Sequence, residues 1–107
     1  MDKRQVVKII NKFIRELRRH NITVERIILF GSYASGRVRP DSDIDVAIVS
    51  RDFGKDIVEE RMRLFRLAGK IDNRLEPVPI TAESYENDTW VPLIYEIREK
   101  GVELKVA

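Results

Sequence analysis

Two aspartates separated by one residue are the clearest candidates for chemistry in this sequence. Asp43 and Asp45 lie in the segment DIDVAIV, whose apolar residues alternate along a predicted β-strand. Residues at i and i+2 of a strand project from the same face, with Cα atoms roughly 7 Å apart. Like charges this close repel each other unless a cation lies between them, and carboxylate oxygens suit Mg²⁺ or Mn²⁺. A surface strand can also carry such a pair without binding a metal, so the pair needs a second feature to support it.

A Gly-Ser pair after the preceding apolar run supplies that feature. The run IILF ends at Phe30 and is followed by Gly31 and Ser32. A glycine at the end of a strand lets backbone N–H groups approach a phosphate, and the Ser32 hydroxyl could add a contact. Gly-Ser is also a common simple turn. Together with the two aspartates, however, it describes a site for a nucleoside triphosphate and its metal.

The elements that must position these residues follow from the spacing of apolar side chains. It predicts helices over residues 3–19, 54–71 and 92–100, short helical turns at 32–35 and 81–84, and strands over 24–30, 43–49, 74–80 and 102–106. Pro77 and Pro79 favour an edge position for the third strand. The apolar set of the 54–71 helix comprises Ile57, Val58, Met62, Leu64, Phe65 and Ala68. This order predicts an α/β (α+β) fold, a small mixed β-sheet with helices packed mainly on one face.

Composition limits the classes of protein to consider. The chain has 107 residues, 43% of them hydrophobic and 36% charged, which predicts one compact domain over residues 1–107. No stretch approaches the roughly 18 apolar residues of a membrane span, so we expect a cytoplasmic protein without membrane contact. With no cysteine and a single histidine, disulfides and thiolate metal sites are excluded. Any metal site must therefore use carboxylates.

Positive charge is concentrated in the first predicted helix. Residues 1–20 carry seven basic and two acidic side chains, although the whole chain has a net charge of only +2. Such a segment could contact nucleic acid or an acidic partner, or could be a solvated helix face. Direct nucleic-acid binding would weaken steeply with salt and would require Lys8, Lys12 and Arg15. We do not expect nucleic acid to be the main partner.

The stretch GSYASGRVRPDSDIDVAIVS, residues 31–50, resembles the signature of the minimal nucleotidyltransferases in the DNA polymerase β-like superfamily. That signature is Gly-Ser, ten residues, then Asp-x-Asp, and the spacing here is intact. The order of elements also fits, so the resemblance covers nearly the whole chain. It implies that Gly31 and Ser32 hold the triphosphate while Asp43 and Asp45 hold one or two Mg²⁺ ions in a two-metal arrangement.

The resemblance also implies a third carboxylate from the next strand, which binds a metal and can act as a base toward the attacking hydroxyl. Glu76 is the acid at that place, where many relatives have aspartate. It is either the third ligand or an exposed edge residue. Relatives often read Ala-Arg-Gly in the preceding loop, and this chain reads Ala-Ser-Gly-Arg. Arg37 or Arg39 could therefore reach the terminal phosphates, or be solvated loop residues.

Two functions are compatible with this resemblance. The first is transfer of a nucleoside monophosphate, most simply AMP from ATP, to a hydroxyl of a protein or other acceptor, with release of pyrophosphate. Small prokaryotic proteins of this type resemble the antitoxin of a pair whose toxin is a HEPN-type ribonuclease, so we expect such a partner or a second copy of this chain. The alternative is a non-catalytic antitoxin that binds nucleotide and neutralises its partner by occlusion.

Overall fold

The computed structural model describes residues 2–105, and the predicted elements are present within that range. In chain order they are α1 (Lys3–Arg19), β1 (Arg26–Phe30), α2 (Ser32–Ser35), β2 (Ile44–Ser50), α3 (Ile57–Ile71), β3 (Leu75–Thr81), α4 (Ala82–Asn87), α5 (Pro92–Lys100) and β4 (Val102–Leu104). The ends differ from the predicted ranges by a few residues. The end of the predicted last strand, at residue 106, lies outside the described residues.

Local sequence accounts for the start of α1. The Asp2 side chain accepts a hydrogen bond from the Gln5 N–H, and the Gln5 side chain accepts one from the Asp2 N–H, both at 2.9 Å. This reciprocal capping box satisfies backbone donors that have no partner inside the helix. The apolar stripe of the helix, which includes Phe13 and Leu17, is buried. The predicted amphipathic helix is therefore confirmed.

The strands form one sheet in the order β3-β2-β1-β4. β1 runs antiparallel to β2 and β4, whereas β2 and β3 are parallel and joined through α3. β3 lies at the edge of the sheet, as Pro77 and Pro79 predicted. A proline has no backbone N–H to donate to a neighbouring strand, so a strand that contains prolines is tolerated where it has only one neighbour. The mixed sheet of the expected fold class is thus confirmed.

Helices cover the two faces of the sheet unequally. The long helices α1 and α3 pack on one face against alternate strand residues such as Ile27, Val46 and Ile48. The shorter helices α4 and α5 cover part of the other face, where Ala47 and Val49 lie. Because side chains alternate along a strand, Asp45 belongs to this second face and Ile44 to the first. The expectation of helices mainly on one face describes α1 and α3 and omits this smaller second core.

The apolar set predicted for α3 is only partly buried. Leu64 and Ala68 contact the core together with Leu67, but the other four residues of the set are exposed: Ile57, Val58, Met62 and Phe65. Helical spacing alone could not separate two apolar stripes on one helix, because only packing decides which stripe faces the sheet. Within residues 2–105, none of the helices has both the length and the apolar character needed to cross a bilayer.

Candidate active site

The sheet register brings the predicted site residues to one end of three neighbouring strands. Phe30, the last residue of β1, pairs with Asp45 in β2, and Asp45 pairs with Glu76 in β3. Gly31 follows Phe30 directly, and Asp43 immediately precedes β2. Residues paired in register project to the same side of a sheet, so Asp45 and Glu76 share a face. The tertiary structure therefore places Gly31, Asp45 and Glu76 side by side.

Gly31 is packed directly against the Asp45 carboxyl. A Cβ built on Gly31 would overlap Oδ2 of Asp45 and lie 3.1 Å from its Cγ. Gly31 also has φ +71° and ψ −144°, a combination that residues with a Cβ rarely adopt. The backbone turn at the end of β1 thus approaches the carboxylate as closely as only glycine allows.

Gly31 also begins the short helix α2. Its carbonyl accepts hydrogen bonds from the N–H groups of Ala34 and Ser35 at 3.1 and 3.0 Å. Ser32 is therefore the first helical residue and is half-buried next to the end of β1. Tyr33 packs against the first core. The helical turn expected after Gly31 is confirmed, and the geometry brings Ser32 to the same end of the sheet as the carboxylates.

Electrostatics single out Asp45 among the acids of this end. Burial raises the pKa of the Asp45 carboxyl above its ordinary value. Neighbouring negative charges raise the pKa further, and they belong to Asp43, Glu76 and Glu96. Such an arrangement is unfavourable for an isolated carboxylate and becomes favourable when a divalent cation shares it. The chemistry of this donor set fits Mg²⁺ or Mn²⁺.

Glu96 was not singled out by the sequence. It lies on α5, which packs over the same face as Asp45. No local motif marks it, because Glu96 approaches the site only through the packing of α5 against β1. The sequence signal that could have located Glu96 is the apolar spacing of Ile94 and Ile97. Both are buried in α5 and fix the side of the helix that faces the sheet.

The carboxylates do not converge fully in this conformation. Asp43 is exposed, and Asp45 and Glu76 are half-buried. Within residues 2–105, no three acidic or histidine side chains are close enough together to hold a metal ion. The structure therefore gathers the predicted ligands at one end of the sheet, and their role as metal ligands remains a prediction.

The two loop arginines are exposed and stay separate from the carboxylates. The Arg39 N–H donates to Ser42 Oγ at 2.8 Å, and the Ser42 N–H donates back to the Arg39 carbonyl at 3.0 Å, closing a turn. The Arg37 N–H donates to Ser35 Oγ. These contacts fix the backbone of the loop and leave both guanidinium groups in solvent, so their predicted contact with phosphates remains a prediction.

Comparison of the sequence with known proteins points to nucleotidyltransferases. The sequence model of the nucleotidyltransferase domain matches residues 10–103. A protein of Methanocaldococcus jannaschii assigned as a protein adenylyltransferase is 26% identical over 101 residues, covering 94% of this chain and 99% of that protein. The protein adenylyltransferase MntA of Shewanella oneidensis is 32% identical over 74 residues, which span 69% of this chain and 52% of MntA.

Solved structures show the same fold. A nucleotidyltransferase structure from Sulfolobus solfataricus superposes with a TM-score of 0.65 at 19% identity, covering 92% of this chain and 78% of that one. A toxin–antitoxin structure with AMP-PNP superposes with a TM-score of 0.61 at 29% identity, over 91% of this chain and 73% of that one. Because the domain match extends over most of the chain and the fold agrees, this protein belongs to the nucleotidyltransferase domain family and is a nucleotidyltransferase.

Proposed function

We propose that this protein transfers AMP from ATP to a hydroxyl group of a partner protein and releases pyrophosphate. Two relatives carry the name protein adenylyltransferase, and a toxin–antitoxin structure of similar fold contains AMP-PNP. The observation that carries the proposal is the contact between Gly31 and the Asp45 carboxyl, with Glu76 in register beside it. This contact joins a candidate phosphate-binding turn to candidate metal ligands.

Each residue has a role in this proposal. Asp43, Asp45 and Glu76 would hold Mg²⁺, which when bound neutralises the triphosphate and stabilises charge on the reacting oxygens. Ser32 would contact the phosphates through its hydroxyl. Arg37 or Arg39 would swing from solvent to the β- and γ-phosphates as a charge-assisted donor.

The reaction is a displacement at the α-phosphorus. The acceptor oxygen forms a bond to this phosphorus while the bond to the oxygen of the leaving pyrophosphate breaks. The acceptor proton passes to the carboxylate of Glu76, which lies on the β3 side of Asp45. The electron pair of the broken bond leaves with pyrophosphate, and the acceptor carries the AMP.

A protein acceptor is supported by the relatives. Two of them are named as protein adenylyltransferases, and MntA also occurs in a solved toxin–antitoxin complex. We propose that residues 1–107 act as one nucleotidyltransferase domain in the cytoplasm, where ATP is plentiful. The acceptor would be a HEPN-type toxin or a second copy of this chain.

Label transfer tests the proposal directly. The protein is incubated with Mg²⁺ and ATP, GTP, CTP or UTP labelled at the α-phosphate, in lysate of the source organism. We expect a labelled protein band with ATP, and none with the Asp43→Asn/Asp45→Asn variant. Asp41→Asn is the matched control, because Asp41 is exposed in the adjoining turn. If the wild-type protein labels nothing with any nucleotide, the proposed transfer is wrong.

Occlusion without catalysis is the second candidate function. It is favoured by the incomplete convergence of the carboxylates within the described residues. In a growth assay with its toxin, an enzyme would lose protection on Asp45→Asn, whereas an occluding antitoxin would keep most of it. Retained protection by Asp45→Asn would therefore replace the enzymatic proposal with the occlusion proposal.

A further inference from the structure

A groove at the same end of the sheet as the candidate active site is lined by positive charge. Gln5, Lys8, Ile9, Lys12 and Arg74 surround a volume of about 500 Å³. We call these five residues the basic cleft. It combines the strongly basic first helix with a residue from the start of β3, and the residues assigned to nucleotide and metal do not line it.

Arg74 links the basic cleft to the candidate active site. Its carbonyl accepts a hydrogen bond at 2.8 Å from the N–H of Ile44, the residue between Asp43 and Asp45. The β2–β3 ladder then continues through Leu75 to the pair formed by Asp45 and Glu76. The backbone of Arg74, one of the five residues of the cleft, therefore lies at the same end of the sheet as the predicted metal ligands.

The cations of the cleft differ in how they are held. The Arg74 guanidinium donates to Asp72 from Nε at 2.9 Å and from Nη2 at 2.8 Å, and this two-point contact fixes its orientation. Lys8 and Lys12 are exposed, and within residues 2–105 no carboxylate forms a salt bridge with either of them. Two ammonium groups are thus available for a ligand next to one fixed guanidinium.

The lining favours an acidic peptide over a nucleic acid. Binding of single strands without sequence preference combines a positive groove with aromatic side chains on which bases stack. None of the residues that line the basic cleft is aromatic, and its apolar side chain is Ile9. The two available ammonium groups next to one aliphatic residue suit carboxylate side chains carried on a peptide backbone.

We propose that the basic cleft binds an acidic segment of the protein that accepts the nucleotide and thereby places the acceptor hydroxyl beside Asp43 and Asp45. This inference rests on the proposed function. The cleft attracts the acidic part of such a segment, and the carboxylates of the candidate active site repel it. The segment therefore has one favourable orientation, with its acidic part in the cleft. Complementary charge of this kind increases specificity and the rate of encounter.

A binding experiment tests this without relying on catalysis. The probe is a fluorescent random copolymer of glutamate and tyrosine, measured by anisotropy with the full chain at low ionic strength. Lys8→Gln/Lys12→Gln should weaken binding about tenfold and reduce its salt dependence. Arg4→Gln/Arg15→Gln is the matched control, since it removes the same charge from exposed positions of α1 outside the cleft. It should weaken binding less than about threefold. Circular dichroism should show both variants folded, because all four side chains are exposed.

Kinetics provide the second readout. With labelled ATP and the same copolymer as acceptor, Lys8→Gln/Lys12→Gln should raise the KM for the copolymer about tenfold and leave the KM for ATP unchanged. A rise in the KM for ATP instead would assign the cleft to the nucleotide and overturn the inference. Equal binding by wild type and both variants, or stronger cleft-dependent binding of single-stranded RNA, would overturn it as well.

The two proposals fail differently. Absence of label on any acceptor contradicts the proposed function and the acceptor role of the cleft, whatever the binding result. If label transfer is normal and Lys8→Gln/Lys12→Gln binds the copolymer as tightly as the wild type does, only the inference about the cleft is contradicted.

Discussion

Two acids at one end of the sheet, Asp45 and Asp72, have opposite electrostatic environments. Asp45 lies against Gly31 near other carboxylates, and burial with like charges raises its pKa. Asp72, in the turn before β3, accepts hydrogen bonds from the Arg74 side chain, and these hold its pKa below the ordinary value. The first arrangement is electrostatically unfavourable without a ligand, and the second stabilises the fold. Uncompensated charge therefore marks the region that we propose to be functional, and paired charge marks a structural one.

Of the changes that test this difference, Asp45→Asn should have the largest effect on activity. Loss of this proposed metal ligand should reduce the proposed AMP transfer about 1000-fold or more, which corresponds to roughly 4 kcal/mol of transition-state stabilisation. The Tm should stay equal or rise, because the substitution removes a charge that its neighbours repel. Label transfer and thermal unfolding measure both quantities. A large drop in Tm with transfer retained would show that Asp45 is structural.

Gly31→Ala should affect stability and activity together. The new Cβ would overlap the Asp45 carboxyl, and φ +71° is unfavourable for alanine, so we expect a loss of about 2–3 kcal/mol in the free energy of unfolding. Transfer should fall because Asp45 is displaced.

Gly69→Ala is the control for Gly31. A Cβ at Gly69, inside α3, meets open space, and alanine favours the helix by roughly 0.5–1 kcal/mol. Urea unfolding of both variants checks the contrast. Equal effects at the two glycines would contradict the close approach at Gly31.

Magnesium should stabilise the region of uncompensated charge. A cation that binds only the folded state raises the free energy of unfolding by about 2.7 kcal/mol at 100 times its Kd. Excess Mg²⁺ should therefore raise the Tm of the wild-type protein, and EDTA should reverse the change. The Asp43→Asn/Asp45→Asn variant should show no rise. An equal rise in both proteins would place Mg²⁺ binding elsewhere.

Asp72 gives the smallest expected effect, with a distinct pH dependence. Its pKa is lowered in the folded state, so its contribution is present at neutral pH and is lost as the pH falls through its range below 3.8. The pair with Arg74 is accessible to solvent, which limits the contribution to about 1 kcal/mol. Urea unfolding of wild type and Asp72→Asn should differ at pH 7, and the difference should shrink as the pH falls below 3.8. If the difference in the free energy of unfolding between the two proteins increased as the pH fell, the predicted pH dependence would be wrong.

Much of the fold was predictable from local sequence. The apolar stripe predicted α1, and the two prolines predicted an edge strand. The exposure of Val58 and Met62 was not predictable, because both lie at helical spacing and only the packing of α3 separates the stripes. The roles of Asp43, Asp45 and Glu76 remain predictions, although the register that brings Asp45 beside Glu76 is observed.

The sequence by itself determined the elements, the spacing from Gly31 to Asp45 and the concentration of positive charge in α1, because these depend on residues that are close along the chain. The tertiary structure alone decided the close contact of Gly31 with the Asp45 carboxyl, the approach of Glu96 to that carboxyl and the position of Lys8 and Arg74 around one groove. Each of these depends on sheet register or helix packing, which bring together residues whose separation along the chain carries no periodic signal.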